Sequence, residues 1–335
     1  MFEDQFGKVR NQSIPCDGGI HTEDLSAELS CDQAFAFRSV VGTCLYLARD
    51  RPDLLFTVKE LSGSMSKPTL TALQRLRKLV GYLKTTPEYC VLLDVPIGGQ
   101  GRWKSSDKHW ILESFSDSDW SANQTHRRST SCGVHLLNGA FLFGSSRTQR
   151  VVSLSSCESE LHAMVSNLSD GIFLRRCLEF VFNVEVEHVL FTDSSSGRQL
   201  AMRQGTGKVK HLSGKVLWIQ DAVRNGVIQL SQIPTIWNVS DIGTKALGVQ
   251  RTQLLLHELN IASSPDFFVV GMPEYERQCQ RHGGNKQLTK LVKQVTRVLV
   301  MMGLESSTST GVAAVSISVL DDDSFSNAGT CLSEP

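Results

Sequence analysis

A series of short strand-like segments, followed by a long helical pattern, limits the folds that this chain can adopt. The strand-like segments are 111–117, 133–139, 140–146 and 150–156. Asn138-Gly139 is the strongest turn signal among them, because this pair tolerates the positive φ of a type I′ hairpin turn. The series predicts three consecutive antiparallel strands.

A helix–strand alternation follows this series. A long helix is predicted from Ser155 or Ser156, which can serve as its N-cap, and a strand is predicted at 187–193. Two further helices, a strand at 227–234 and a helix beginning near Val239 complete the pattern. Because a strand, a crossover helix and a strand form a βαβ unit, the later strands should join the sheet in parallel. The predicted class is α/β, with a mixed five-stranded sheet flanked by helices.

The remaining sequence divides around this α/β region. Residues 1–34 form a polar N-terminal tail, and 35–90 form a helical connection segment with helices at about 36–48, 52–64 and 69–84. The α/β domain is assigned to 91–262. The C-terminal extension, 263–335, ends in a Ser-rich stretch and is expected to be partly disordered, although 287–304 has the pattern of one more helix.

Composition narrows the classes of function. Lys plus Arg and Asp plus Glu each number 34, so a nucleic-acid surface would have to be a local basic patch. The nine cysteines are scattered without a CxxC pair, which favours reduced thiols over a zinc site. With neither a signal sequence nor an apolar run long enough to span a bilayer, an intracellular protein is expected, cytoplasmic or nuclear and without a membrane partner.

Four carboxylates occupy comparable positions in the predicted fold. Asp117 and Asp193 end strands, Glu160 lies in the first turns of the long helix, and Asp241 begins the last helix. Such positions meet at one edge of an open sheet. Carboxylates gathered without Lys or Arg partners repel one another, and divalent cations relieve that repulsion.

Hard oxygen ligands favour Mg²⁺ or Mn²⁺, and two such ions about 4 Å apart would suit phosphodiester hydrolysis. Taken singly, an aspartate that ends a strand is more often a turn former or a helix cap than a metal ligand. Helical phase does not distinguish Glu160 from Glu158, and the residues alone do not distinguish Asp117 from Asp119.

Several ordered motifs resemble one known family. They are "SFSDSDW", "RRSTS", "LLNG", "SSRTQRVVSLSSCESELHAM", "FTDSSS", "KVKHL", "WIQD" and "IPTIWNVSDIGTKAL". Together they resemble the ribonuclease H domain at the end of copia-type retrotransposon Pol polyproteins. The upstream "FRSVVGTCLYLARDRPDLLFTVKELSGSMSKPT" resembles the end of the preceding reverse transcriptase, and the similarity spans about 36–260.

This resemblance implies a ribonuclease H-like fold and a metal-dependent endonuclease that hydrolyses the RNA strand of RNA–DNA hybrids. By motif, it assigns the catalytic and metal-binding roles to Asp117, Glu160, Asp193 and Asp241. It selects Glu160 over Glu158, and it makes Asp119 a supporting or turn residue beside the principal ligand Asp117. It also implies two Mg²⁺ ions, for which Mn²⁺ can substitute. The implied partners are the hybrid and the rest of a Pol polyprotein.

Substrate contacts are predicted around these acids. Ser118 and Asn123 are candidates for contacting the 2′-hydroxyls of the RNA strand. A basic path for phosphates is predicted from seven residues, namely Arg127, Arg128, Arg147, Arg150, Lys208, Lys210 and Lys215. Trp120 and Trp218 are expected to pack in the core.

Two alternatives remain open. A catalytically inactive retrotransposon remnant could bind hybrids or serve a structural role, because the net charge is zero and the chain has no "YxDD" polymerase motif. Another nuclease or an integrase could share the fold. Integrases, however, need Glu in the last helix, where this chain has Asp241.

Overall fold

The computed structural model describes residues 6–18, 24–91, 109–123, 125–205 and 214–262, without the side chains of residues 215 and 216. All of them belong to one compact unit, Met1–Lys293. The predicted C-terminal extension and its helix at 287–304 lie outside the described residues.

The upstream segment contains the three predicted helices. They are α1 (Cys31–Leu47), α2 (Leu55–Gly63), which follows a 3₁₀ turn at Pro52–Leu54, and α3 (Leu70–Thr85). Helix α1 begins five residues before the predicted start because Ser30 and Gln33 form a capping box. The helices pack on a shared core that includes Phe37, Leu76 and Tyr82.

The main sheet has five strands in the order β4-β3-β2-β5-β6. They are β2 (His109–Asp119), β3 (Thr130–Leu137), β4 (Ala140–Thr148), β5 (Glu185–Thr192) and β6 (Gln229–Gln232). Strands β2, β3 and β4 are antiparallel, whereas β5 pairs in parallel with both β2 and β6. This topology confirms the predicted ribonuclease H-like sheet. Two short strands, β1 (Cys90–Val91) and β7 (Ile261–Ala262), pair separately.

Helices cover both faces of the sheet. They are α4 (Ser156–Phe182), α5 (Ser195–Met202), α6 (Gly214–Arg224) and α7 (Val249–Glu258). One core joins Leu161 and Leu168 of α4 to Leu190 of β5. The other joins Phe115 and Val134 to the segment that ends in α7. Because side chains alternate along a strand, β2 contributes Phe115 to one face and its neighbours Ser114 and Ser116 to the other.

Two predicted elements were wrong. Residues 150–156 form no strand, and Ser155 instead caps α4. The valines that suggested a strand, Val151 and Val152, are exposed. Near Asp241 the chain forms a five-residue 3₁₀ turn, Val239–Gly243, and α7 begins only at Val249. Asn238 caps that turn by accepting a hydrogen bond from the Ser240 amide.

None of the helices in the described part of the chain combines the length and apolar character that crossing a bilayer requires. The seven cysteines within the described residues are not joined by disulfides.

Candidate active site

Asp117 and Asp193 lie side by side because β2 and β5 run in parallel. The pairing of these strands ends at Ser116 and Thr192. Asp117 is the next residue of β2, and Asp193 directly follows β5. Both carboxylates therefore reach the carboxyl edge of the sheet, where open α/β sheets place their ligand sites. Asp117 is buried and Asp193 is partly exposed.

Helix α4 brings Glu160 to the same edge. Carboxylate oxygens of Asp117, Glu160 and Asp193 lie within 4.8 Å of one another. Helix α5 comes close here, since a Cβ added at Gly197 would lie 3.2 Å from Cβ of Glu160. Glycine at this position therefore leaves room for the glutamate.

Glu158 has a different place from Glu160. Its Oε2 accepts a 2.8 Å hydrogen bond from the Leu154 amide, and its own amide donates to the Ser155 hydroxyl. These contacts satisfy polar groups at the N-terminus of α4, as a capping residue does. Only Glu160 of the two belongs to the carboxylate group.

The electrostatics of the group disfavour negative charge. Burial, reinforced by the charges of Asp117 and Asp193, raises the pKa of Glu160 to about 9. Burial also raises the pKa of Asp117 to about 7, although the nearby Lys245 ammonium acts in the opposite direction. Without a bound cation, protonation of these carboxyl groups therefore relieves part of their mutual repulsion.

Asp241 reaches the site from the 3₁₀ turn but is already paired with cations. Its Oδ1 lies 2.6 Å from Nζ of Lys245, and its Oδ2 accepts a 2.8 Å hydrogen bond from Nη2 of Arg251. Lys245 Nζ is also 4.0 Å from Oδ2 of Asp117. The expectation of carboxylates without basic partners was therefore wrong for Asp241.

The prediction missed three side chains that contact the acids, Thr244, Lys245 and Arg251. The Thr244 hydroxyl donates a hydrogen bond to Oδ2 of Asp117, so this carboxylate is held by a residue 127 positions away. One signal was available, because Asp241 and Lys245 in "SDIGTK" have the spacing of a helical i, i+4 ion pair. Nothing local indicated Arg251.

The donor set suits a hard divalent ion. All three clustered ligands are carboxylates, the type of oxygen donor that Mg²⁺ and Mn²⁺ prefer. Glu160 is 9% exposed, and its Oε2 is buried without a hydrogen-bond partner among the described residues. Cys132 lies opposite Asp117 on β3, but burial raises its pKa well above the usual value, so its thiol stays protonated.

Of the residues predicted to contact the substrate, one lies beside the acids and three lie on the loop that follows β2. Ser118 lies beside Glu160, and its polar groups work against the upward shift of the Glu160 pKa. Asn123 organises its own loop, since its Oδ1 accepts hydrogen bonds from the Thr125 and His126 amides. Arg127 and Arg128 are exposed on the same loop.

The basic path is less continuous than predicted. Arg147 is paired with an acid, since its Nη1 donates a 2.8 Å hydrogen bond to Oδ2 of Asp170 on α4. Arg150 is exposed. Lys208 and Lys210 lie outside the described residues, as does the side chain of Lys215.

Neither tryptophan packs in the core as predicted. Trp120 is 51% exposed and Trp218 is 39% exposed. Trp120 follows β2 directly, and its indole Nε1 donates a 3.0 Å hydrogen bond to the Ser153 carbonyl. An indole with a partner for its N–H can remain at the surface beside the site.

The chain is similar to retrotransposon polyproteins. It is 26% identical over 231 residues to the Retrovirus-related Pol polyprotein from transposon RE1 of Arabidopsis thaliana, a match covering 68% of this chain and 15% of that protein. It is 25% identical over 220 residues to the corresponding polyprotein from transposon TNT 1-94 of Nicotiana tabacum, covering 65% of this chain and 16% of that protein. The chain thus spans about 15% of the length of the first of these relatives.

A shorter relative is matched over most of its own length. The chain is 34% identical over 139 residues to Secreted RxLR effector protein 161 of Plasmopara viticola, covering 41% of this chain and 90% of that protein. No protein-family model matches the chain. Among solved structures, LC11-RNase H1 in complex with an RNA/DNA hybrid is similar, with 15% identity and a TM-score of 0.25, covering 38% of this chain and 88% of that one.

Proposed function

Because the chain belongs to the family of copia-type retrotransposon Pol polyproteins, we propose that it is a metal-dependent endoribonuclease that hydrolyses the RNA strand of RNA–DNA hybrids. One observation carries this proposal. Three carboxylates from two parallel strands and a crossover helix converge within 4.8 Å at the carboxyl edge of the sheet. Such crowding is unfavourable for anions unless a cation is bound.

In this proposal, Asp117, Glu160, Asp193 and Asp241 would hold two Mg²⁺ ions, with Mn²⁺ able to replace them. Bound ions would supply a water activated for attack and charge stabilisation for the leaving oxygen of a phosphodiester. Thr244 supports the arrangement because its hydroxyl holds Asp117 in place. Burial keeps bulk water from screening the charges of Asp117 and Glu160.

Surface residues beside the acids are proposed to bind the substrate. Arg127 and Arg128 project from the loop that follows β2, and they would contact phosphates. Ser118, next to Glu160, is proposed to contact a 2′-hydroxyl, which distinguishes RNA from DNA. Asn123 is assigned to ordering the loop that carries the two arginines.

One observation favours a second candidate, an inactive module that binds hybrids without cutting them. Both carboxylate oxygens of Asp241 face basic side chains, those of Lys245 and Arg251, so the protein itself supplies part of the neutralising charge. A site neutralised in this way could remain folded without metal.

Cleavage of a labelled RNA–DNA hybrid tests the two candidates. With millimolar Mg²⁺, we expect the native chain to cut the RNA strand, and Asp117→Asn or Glu160→Gln to lower the rate at least about 100-fold, as expected when a ligand of a catalytic metal is removed. Glu158→Gln is the matched control, because glutamine can still accept the hydrogen bond from the Leu154 amide.

The outcomes separate the candidates. Cleavage that disappears in Glu160→Gln and persists in Glu158→Gln supports the nuclease. Hybrid binding without cleavage by any variant supports the inactive module. Cleavage that survives in both Asp117→Asn and Glu160→Gln contradicts the proposed site.

A further inference from the structure

We infer that Lys245 is a displaceable counter-cation: its ammonium occupies the edge between Asp117 and Asp241 in the metal-free protein, and a divalent ion must expel it to bind there. The inference rests on the proposed metal-dependent function. In this inference, Lys245 controls how tightly this edge binds a metal ion and does not contact the reacting phosphate.

The position of the ammonium supports this role. Lys245 Nζ lies 2.6 Å from Oδ1 of Asp241 and 4.0 Å from Oδ2 of Asp117, so a single charge serves two carboxylates. The third cluster member, Asp193, is close enough to act on Lys245 electrostatically as well. A cation bound between Asp117 and Asp241 would need the same oxygens.

The two basic partners of Asp241 differ in how firmly they are held. Arg251 also donates to the carbonyl oxygens of Thr235, at 2.7 Å, and of Ile236, so three acceptors fix its guanidinium. The Lys245 side chain is 46% exposed and, among the described residues, its ion pairs are with Asp117 and Asp241. An ammonium on a flexible stem can move into water, whereas the anchored guanidinium cannot do so without breaking the turn.

The consequence is that the site has two unequal halves. In the half formed by Asp117, Glu160 and Asp193, the ion pair that the described residues show is the looser 4.0 Å approach of Lys245 to Asp117. The half formed by Asp117 and Asp241 already contains Lys245. We expect an ion to bind more weakly in this second half, because it must displace the ammonium.

A metal titration tests this directly. Thermal unfolding of the full chain is followed against Mg²⁺ concentration, since a ligand that binds the folded state raises the midpoint by mass action. The native chain is compared with Lys245→Met, and Asp241→Asn identifies the binding event at the Asp117–Asp241 edge. Lys67→Met is the control, because Lys67 is a highly exposed lysine that pairs only loosely, at 3.8 Å, with Glu28.

We expect Lys245→Met to lower the Mg²⁺ concentration at the midpoint of this event at least about fivefold, as the loss of a unit charge about 4 Å away predicts even in a high dielectric. Lys67→Met should leave the midpoint unchanged. An unchanged or higher midpoint in Lys245→Met would overturn the inference while leaving the proposed nuclease intact. Absence of Mg²⁺ binding in both the native chain and Lys245→Met would refute the inference and the proposed metal dependence together.

Chemical labelling of the native chain provides a test that needs no substitution at Lys245. Reductive methylation with and without saturating Mg²⁺ is quantified by mass spectrometry for Lys245, with Lys67 as the internal reference. Displacement predicts a severalfold rise in Lys245 labelling on adding Mg²⁺, and comparably high labelling of Asp241→Asn without Mg²⁺. Labelling that falls or stays constant on adding Mg²⁺ contradicts displacement.

Discussion

The side-chain amide of Asn238 donates a 3.2 Å hydrogen bond to the carbonyl of Ser116, a residue 122 positions earlier in the chain. Asn238 is fully buried, and its Oδ1 also accepts hydrogen bonds from the amide and hydroxyl of Ser240. Ser116 immediately precedes Asp117, and Ser240 immediately precedes Asp241. One side chain therefore ties together the two backbone segments that carry these carboxylates.

Asn238→Ala should destabilise the fold and loosen the site together. Leaving the buried polar groups around Asn238 unpaired is expected to cost about 1–3 kcal/mol of unfolding free energy, measured by urea denaturation. The same variant should need more Mg²⁺ for half-maximal stabilisation. Asn225→Ala, at an exposed asparagine, is the control. A destabilised Asn238→Ala with normal Mg²⁺ affinity would argue against the positioning role.

Two buried serines on β2 should respond differently to removal of the hydroxyl. Ser114 Oγ lies 2.7 Å from Nδ1 of His135 and 2.8 Å from Nε2 of His188, whereas Ser116 Oγ has no hydrogen-bond partner among the described residues. Ser114→Ala leaves two buried imidazoles without this partner and should lose about 1–3 kcal/mol. Ser116→Ala should stay within about 0.5 kcal/mol of the native chain. Equal losses in urea unfolding would contradict the proposed importance of the serine–histidine network.

Two helical glycines should respond to alanine with opposite signs. A Cβ at Gly171 would lie 2.4 Å from Cε1 of His188, a buried ring with little room to move, whereas Gly42 on α1 has no atom within 4 Å of its added Cβ. Gly171→Ala should therefore be destabilising by about 1–3 kcal/mol, as overpacking is. Gly42→Ala should gain up to about 1 kcal/mol from helix propensity. Calorimetric melting of both variants checks the signs, and stabilisation by Gly171→Ala would show that α4 can shift away from β5.

The metal-free protein should lose stability as pH rises above 6.5. The folded-state pKa values of Asp117, about 7, and Glu160, about 9, exceed their ordinary values of 3.8 and 4.5. Their stabilising contribution is therefore complete below about pH 4 and is lost as pH rises towards 7 and 9, at up to about 1.4 kcal/mol per pH unit for each proton. Measurement above pH 6.5 excludes the effect of protonating His135 and His188. Burial lowers the pKa values of these histidines to about 3, so they destabilise the fold only at acidic pH.

Urea unfolding in EDTA between pH 6.5 and 8.5 gives the slope of the unfolding free energy against pH. Glu160→Gln should flatten it, because glutamine reproduces the neutral form of the side chain. Mg²⁺ should stabilise the native chain more at pH 8 than at pH 6.5, since binding must release the protons held by the carboxyls. A flat profile for the native chain would mean that Glu160 is already ionised at pH 6.5.

Local sequence signals were sufficient for most of the element order. The Asn138-Gly139 turn is confirmed, with both residues at positive φ, and Ser155 caps the long helix as one of the two predicted residues. These features depend on neighbouring residues, whose conformational preferences act over a few positions. The apolar pattern at 150–156 was misleading, because apolar residues can also lie in an exposed loop beside a site.

The motifs were enough to select Asp117, Glu160, Asp193 and Asp241, and the βαβ order implied that strand ends would meet. The partners of these acids became evident only from the folded structure. It placed Lys245 and Arg251 on Asp241, and it gave Glu158 a hydrogen bond from the Leu154 amide at the start of α4. The reason is physical: the state of a buried carboxylate depends on burial and on charges a few ångströms away, and folding brings those charges from distant parts of the chain.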